Sequence, residues 1–197
     1  MGDLIALITI ILWPVIPLFW IPLHCFPGIF RKIGLFTYLI PLVTWFPLAL
    51  VMILHRGFIV QLKTHTGVVL NILGTLLLIL GIVLHIRTGI LLSVQGLAGL
   101  PELSADREGR LLKEGPYSVV RHPTYLAHTL MFSGIFLMTG VVAVGIVTVL
   151  DFAIVNLVII PLEEKELLTR FSEDYARYMQ TVPRLLPSRR GLGGIFK

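Results

Sequence analysis

Long apolar runs separated by short polar segments make up most of this chain. Five of these runs, at about 4–23, 33–54, 67–86, 124–139 and 141–160, approach the roughly 20 residues that a helix needs to cross a bilayer. A backbone inside lipid must satisfy its own hydrogen bonds, so such runs form helices. The pattern therefore predicts an all-α integral membrane protein with about five transmembrane helices.

The fourth and fifth runs are separated only by Thr139-Gly140. Two helices joined by so short a connection form a tight antiparallel hairpin. The fourth run is short for a full crossing, which predicts a shallow or tilted helix, or one extended by the polar turn before it.

Two polar segments, 87–123 and 161–197, flank this hairpin on the same side of the membrane. In the second, apolar residues recur at helical spacing between charges, which predicts an amphipathic helix that ends near Pro183. These residues are Leu167, Phe171, Tyr175, Tyr178 and Val182. The helix either lies on the membrane surface or closes a pocket with its tyrosines. We expect one domain over 1–197, with transmembrane helices in 1–86, a functional core in 87–187 and a tail in 188–197.

Composition excludes an ordinary soluble domain. The chain is 56% hydrophobic and 14% charged, with a mean hydropathy of +0.91, and folding cannot hide so much apolar surface. The lone Cys25 excludes an intramolecular disulfide and a cysteine-rich metal site. The histidines show no metal-ligand spacing, so no metal is expected.

The net charge of +5 is distributed unevenly between the two sides of the membrane. With the C-terminus in the cytoplasm, fourteen of the sixteen Lys and Arg residues fall inside, and only Arg56 and Lys63 fall outside. Topology and anionic lipid headgroups account for this charge, so nucleic-acid binding is not expected. The polar segments, and any site in them, are predicted to face the cytoplasm.

Chemically useful side chains concentrate where the first polar segment meets the fourth apolar run. Pro123 suits the first turn of a helix, which places His122 at its start and Tyr125 within it. Free N–H groups at a helix start, with Arg121 beside them, favour the binding of a carboxylate ligand. A membrane-interface anchor is the alternative reading of the same residues.

An acidic cluster, Glu163, Glu164 and Glu166, follows the fifth run. The hairpin brings it close to Arg121 and His122, so acid and base lie together at one membrane face. This combination suits a zwitterionic ligand. Asp151, costly inside the membrane, is expected to line a cavity or to pair with His128 or His85.

Two sequence blocks resemble the isoprenylcysteine carboxyl methyltransferase family and the related phospholipid N-methyltransferases. The first contains Gly115, Pro116, Tyr117, Arg121, His122, Pro123 and Tyr125; the second runs from Glu163 and Glu164 through Phe171, Tyr175 and Tyr178 to Arg184 and Pro187. The resemblance covers roughly 100–187 and suggests a compact, prokaryotic member.

The resemblance implies S-adenosylmethionine bound on the cytosolic side, without a Rossmann domain, and a lipid substrate that enters from the bilayer. By position, the cofactor contacts would be Gly109, Arg110, Leu111, Leu112, Tyr117, His122, Pro123, Tyr125 and Glu163, with Glu164 and, less closely, Glu102 as alternatives.

The sequence departs from the family pattern at three places. Ala127 and Ser172 stand where glycines are usual, and Val158-Ile159-Ile160 lacks the arginine that holds the substrate carboxylate in eukaryotic members. Arg121, Arg87 or Arg184 could take that role.

The leading prediction is methyl transfer to the carboxylate of a prenylated cysteine, which is already ionised at neutral pH and needs no base. N-methylation of phosphatidylethanolamine is the first alternative and would need a base such as His128 or Glu163. A small transporter or membrane scaffold is the third, and the scarcity of intramembrane charge argues against ion transport.

Overall fold

The computed structural model describes residues 2–97, 99 and 110–187, and in this part of the chain it is all-helical. The N-terminal half contains α1 Gly2–Leu12, α2 Val15–Cys25, α3 Pro27–Ile33, α4 Leu39–Leu54, α5 Arg56–Gln61 and α6 Val68–Leu97. The C-terminal half contains α7 Pro123–Thr139, α8 Val142–Ile154, a π-helical turn at Val155–Ile159 and α9 Ile160–Thr181. Short 3-10 turns lie at Gly34–Tyr38 and Gly115–Ser118.

Among the residues that the structure describes, four segments are long and apolar enough to cross a membrane, which makes the chain an integral, multi-pass membrane protein. They are Gly2–Cys25, Pro27–Leu54, Val68–Ser93 and Val142–Thr181. The predicted fourth span corresponds to α7, which has only 17 residues and is not one of the four. The count of five spans stays a prediction.

Glycines let α6 and α7 pack at very short range. A Cβ atom on Gly134 would lie 2.6 Å from the carbonyl oxygen of Gly74 and 2.7 Å from the amide nitrogen of Leu78. One on Gly81 would lie 2.9 Å from the carbonyl oxygen of Ala127. Gly74 and Gly81 therefore allow α6 to pack closely on α7, as small residues do in other membrane helix pairs.

The turn between α7 and α8 is pinned to the segment that precedes α6. Gly140 has a φ of 65°, and a Cβ there would collide with the carbonyl oxygen of Thr64. The Thr64 amide donates to the Gly140 carbonyl at 2.8 Å, and the Val142 amide donates to Leu62 at 3.0 Å. Together with the ion pair between Lys63 and Asp3 at 2.6 Å, this turn forms what we call the far end of the bundle.

The amphipathic helix predicted in the second polar segment is α9, and it continues α8 through the π-helical turn. Its one backbone irregularity among the described residues is Ser172, with φ 44° and ψ −118°. Only glycine adopts such a conformation readily. The position is one of those where the resembled family usually has glycine, so the departure leaves local strain in this chain.

Ser172→Gly is therefore expected to stabilise the protein by about 1 kcal/mol, since strained positive-φ residues cost about 1–3 kcal/mol. Thermal unfolding of the detergent-solubilised variant measures this gain. Ala176→Gly, at a regular position of the same helix, is the matched control and should lose about 1 kcal/mol. Equal effects of the two changes would show that Ser172 is not strained.

Candidate active site

The segment before α7 is held in place by the end of the described chain. The amides of Arg121 and His122 donate to the carbonyl oxygens of Pro183 and Arg184, at 2.9 and 3.1 Å. The Tyr178 hydroxyl donates to the Tyr117 carbonyl at 2.6 Å. Pro123 stands at the first turn of α7, as predicted. These contacts fix the start of α7 against α9.

Glu164 is the centre of a buried ion-pair network. Its side chain is 6% exposed, and Oε1 accepts from Arg121 Nε and Nη2 at 3.0 and 2.8 Å and lies 3.2 Å from His122 Nε2. Its Oε2 accepts from Arg184 Nη2 at 2.9 Å. The predicted approach of the acidic cluster to Arg121 and His122 is present. Glu164 is enclosed by this network and does not line the cavity described below.

The guanidinium of Arg121 donates its hydrogen bonds to other groups of the protein. Besides its bonds to Glu164, its Nη1 donates to the carbonyl oxygens of Met179 and Val182 at 3.0 and 2.6 Å, and its side chain is only 8% exposed. This geometry favours a positioning role over the predicted contact with a substrate carboxylate. Arg184, the other nearby candidate, also pairs with Glu164.

Glu163 has a different environment, because it lines the cavity described below. Its Oε2 is buried and lies 3.5 Å from His122 Nδ1. Burial alone would lower the pKa of His122, but the Glu163 and Glu164 carboxylates outweigh burial and raise it. The His122–Glu163 pair therefore presents a carboxylate, backed by an easily protonated imidazole, to a cation.

Glu163 and His122 form part of the wall of a cavity of about 700 Å³ at this polar end of the bundle. That volume lies in the range of small-molecule sites. The lining residues come from α2, α6, α7, α9 and the segment between α6 and α7: Trp20, His85, Ile90, Leu91, Leu92, Gly96, Arg110, Leu111, Leu112, Glu114, Tyr117, Arg121, His122, Pro123, Thr124, Tyr125, His128, Glu163, Leu167, Arg170, Phe171, Tyr175 and Tyr178.

Most of the residues predicted to contact a cofactor share this one wall. Arg110, Leu111, Leu112, Tyr117, His122, Pro123, Tyr125 and Glu163 line the cavity, whereas Gly109 and Glu102 lie outside the described residues. Sequence reasoning did not place Trp20 or His85 in this cavity. The sequence did contain a signal for His85, because an ionisable residue inside an apolar span usually has a function.

Asp151 does not pair with either histidine. Its Oδ1 accepts from Trp13 Nε1 at 3.0 Å, in the apolar contact region between α1 and α8. The pairing expected with His128 or His85 is therefore wrong, because α1 rather than α6 covers this face of α8. Within residues 2–97, 99 and 110–187, no group of three or more His, Cys, Asp or Glu side chains is placed to hold a metal ion.

A sequence comparison places the chain in a class of membrane methyltransferases. The sequence model of the phospholipid methyltransferase family matches residues 69–174, more than half of the chain. The chain belongs to this family. The match runs from the start of α6 to α9 and so includes most of the cavity wall.

One curated protein is also similar, the cobalt-zinc-cadmium resistance protein CzcN of Cupriavidus metallidurans. It is 34% identical over 85 residues, which cover 43% of this chain and 39% of that protein. The match thus spans about two fifths of the relative's length. No solved structure matches the chain.

Methyltransferases of this family typically use S-adenosylmethionine, and the residues of the cavity fit that group. The sulfonium and ammonium of the cofactor are cationic, and the Glu163 carboxylate in the cavity wall carries the opposite charge. Tyr117 and Tyr125 add aromatic faces that attract a cationic sulfonium.

Proposed function

We propose that this protein transfers a methyl group from S-adenosylmethionine to an acceptor carried on a lipid, at the cytoplasmic face of the membrane. The observation that carries the proposal is the Glu163 carboxylate in the wall of a cavity that is also lined by aromatic and apolar side chains. Membership of the methyltransferase family supports an enzyme over a transporter or scaffold.

The cofactor supplies an activated methyl group, so the protein's task is alignment and exclusion of water. Glu163 would hold the cationic part of the cofactor, His122 would orient Glu163, and Tyr117 and Tyr125 would enclose the sulfonium. Ile90, Leu91 and Leu92 on α6 would contact the lipid chain.

The cytoplasmic orientation rests on charge. Lys63 belongs to the far end, whereas Arg31, Arg110, Arg121 and Arg170 belong to the cavity end or interact with its helices. Under the positive-inside rule, the cavity end and the C-terminus then lie in the cytoplasm.

Two acceptors are consistent with this site. The sequence motifs favour the carboxylate of a prenylated cysteine, although Arg121 is already engaged by Glu164. The amine of a phosphatidylethanolamine-type lipid is supported by the family match and by two histidines in the cavity, His85 and His128.

The purified protein, incubated with radiolabelled S-adenosylmethionine, distinguishes these acceptors. Farnesylated cysteine and phosphatidylethanolamine are offered in parallel. Label in a base-labile ester supports the carboxylate, and label in the lipid headgroup supports the amine. Absence of S-adenosylmethionine binding by the wild-type protein would overturn the proposed function itself.

Glu163→Gln is expected to weaken S-adenosylmethionine binding by about 10–100-fold. The change removes one charge-assisted hydrogen bond, which contributes about 1.5–3 kcal/mol. Isothermal titration calorimetry in detergent measures the Kd. Glu173→Gln, on the exposed side of the same helix, should leave it unchanged. Unaltered binding by Glu163→Gln would refute the assignment of this carboxylate.

A further inference from the structure

Among the described residues, the wall of the cavity contains three arginines, Arg110, Arg121 and Arg170. The guanidinium of Arg121 is engaged by Glu164 and by backbone carbonyls, and its side chain is 8% exposed. Arg110 pairs with Glu114 at 76% exposure, where water weakens its attraction for any charge. Arg170 is 15% exposed. It is therefore the cavity arginine that is shielded from bulk water and yet not enclosed by the Glu164 network.

Arg170 lies on the same face of α9 as Glu163. Glu163, Leu167, Arg170 and Phe171 follow one another at helical spacing, and all four line the cavity. Long side chains on a helix lean toward its N-terminus, so the guanidinium of Arg170 reaches back toward Glu163. Its Nη1 lies 4.0 Å from Oε1 of Glu166, which is one turn closer to Glu163. One wall of the cavity thus carries a carboxylate and a guanidinium in sequence.

Glu166 holds the guanidinium of Arg170 in this orientation and is itself held by the N-terminal half of the chain. Its side chain is 11% exposed, with Oε2 2.9 Å from His24 Nδ1 on α2 and Oε1 3.5 Å from Arg31 Nη2 on α3. On its other side, Cζ of Arg170 lies 5.4 Å from the ring centroid of Phe171, a cation–π distance. The position of Arg170 is therefore restrained from two directions.

A carboxylate and a guanidinium along one wall match the two charges of an α-amino acid group. The methyl donor ends in such a group, with an ammonium and a carboxylate on the same carbon. If Glu163 holds the ammonium, the donor carboxylate is brought near the negative charge of Glu163 and needs a cation beside it. Guanidinium is the side-chain group best suited to a carboxylate, because it can donate two parallel hydrogen bonds.

We propose that Arg170 binds the α-carboxylate of the methyl donor and that Glu166 is the residue that positions Arg170. This inference rests on the proposed function, since the ligand is the S-adenosylmethionine named there. His24 and Arg31 precede the matched residues 69–174, so the support for this binding group comes from a part of the chain outside the family match.

Decarboxylated S-adenosylmethionine tests the proposal, because it keeps the sulfonium and the amine but lacks the carboxylate. The wild-type protein in detergent is expected to bind S-adenosylmethionine about 10–100-fold more tightly than this analogue, by isothermal titration calorimetry. Arg170→Gln should raise the Kd for S-adenosylmethionine by the same factor and leave the Kd for the analogue unchanged. Arg170→Lys, which keeps the charge without the two parallel donors, should retain part of the preference.

Glu166→Gln distinguishes a positioning role from direct contact. It should weaken the binding of S-adenosylmethionine by only about two- to fivefold, the usual strength of a long ion pair, and leave the analogue unaffected. Arg177→Gln is the matched control, at a position of the same helix that is 72% exposed, and should alter neither Kd. Thermal unfolding of each variant shows that it is folded, and Arg170→Lys keeps the test available if Arg170→Gln folds poorly.

An equal loss of affinity for both ligands in Arg170→Gln would overturn the proposal, because it would show a structural role. So would a preference that disappears in Arg110→Gln instead. A wild-type protein that binds both ligands equally and still transfers methyl groups would overturn this inference and leave the proposed function intact. A wild-type protein that binds neither ligand would overturn both.

Discussion

Replacing Glu164 with alanine is expected to reduce the free energy of unfolding by about 3–5 kcal/mol. The change leaves the guanidinium of Arg121 buried without its counter-charge, and breaking a buried pair from one side costs about that much. Arg121 cannot escape to solvent, because its Nη1 is held by the carbonyl oxygens of Met179 and Val182. The segment before α7 would then separate from the end of α9.

Thermal unfolding in detergent measures this effect, with an expected fall in Tm of roughly 10 °C. Glu173→Ala, an exposed position on α9, should change Tm little. The neighbouring Glu163→Gln should lose cofactor binding with an almost unchanged Tm. If Glu164→Ala and Glu163→Gln gave the same phenotype, the division between a structural and a binding carboxylate would be wrong.

Gly134→Ala is expected to destabilise the protein by about 3 kcal/mol or more, through a single added methyl group. Its Cβ would lie 2.6 Å from the carbonyl oxygen of Gly74 and 2.7 Å from the amide nitrogen of Leu78. Both are backbone atoms, so no side-chain rotation relieves the overlap and α6 must move away from α7. Overpacking usually costs about 1–3 kcal/mol, and rigid neighbours place this case at the upper limit.

The matched control is Gly57→Ala, at a helical glycine with no atom within 4 Å of the added Cβ. It should be neutral or slightly stabilising, since alanine is the better helix former. Tm and the elution volume in detergent distinguish the two variants. Because the same α6–α7 contact positions His85 and His128 in the cavity wall, Gly134→Ala should also reduce methyl transfer at temperatures where it stays folded. Equal stability of Gly134→Ala and Gly57→Ala would show that these helices do not pack as described.

Much of the site could be predicted because its residues are close in sequence to a helix start or a helix end. Pro123 marks the start of α7, the apolar run before Glu163 marks where α8 and α9 leave the apolar region, and Gly140 marks the turn. Local rules govern each of these features. The short turn then brings the ends of α7 and α9 together, which is why the approach of Glu164 to Arg121 was predictable.

The π-helical turn at Val155–Ile159 was not predictable from the same rules. Spacing in a regular helix places Asn156 and Glu163 on one face, but the extra residue of a π turn changes the register between α8 and α9. Asn156 instead donates to the Phe152 carbonyl at 2.8 Å, while Glu163 lines the cavity. Which of two adjacent glutamates faces the cavity therefore depends on a local irregularity.

The amino-acid sequence by itself determined the membrane-embedded helical class, the polar end with its charge, and the two motif blocks around the hairpin. These follow from local hydrophobicity, turn chemistry and short-range spacing. Only the tertiary structure decided that Arg121 pairs with Glu164, that Asp151 accepts a hydrogen bond from Trp13, and that the rings of His85 and His128 are in contact. Each of these contacts joins helices distant in sequence, and the faces they present depend on side-chain packing over the whole bundle, which no local pattern encodes.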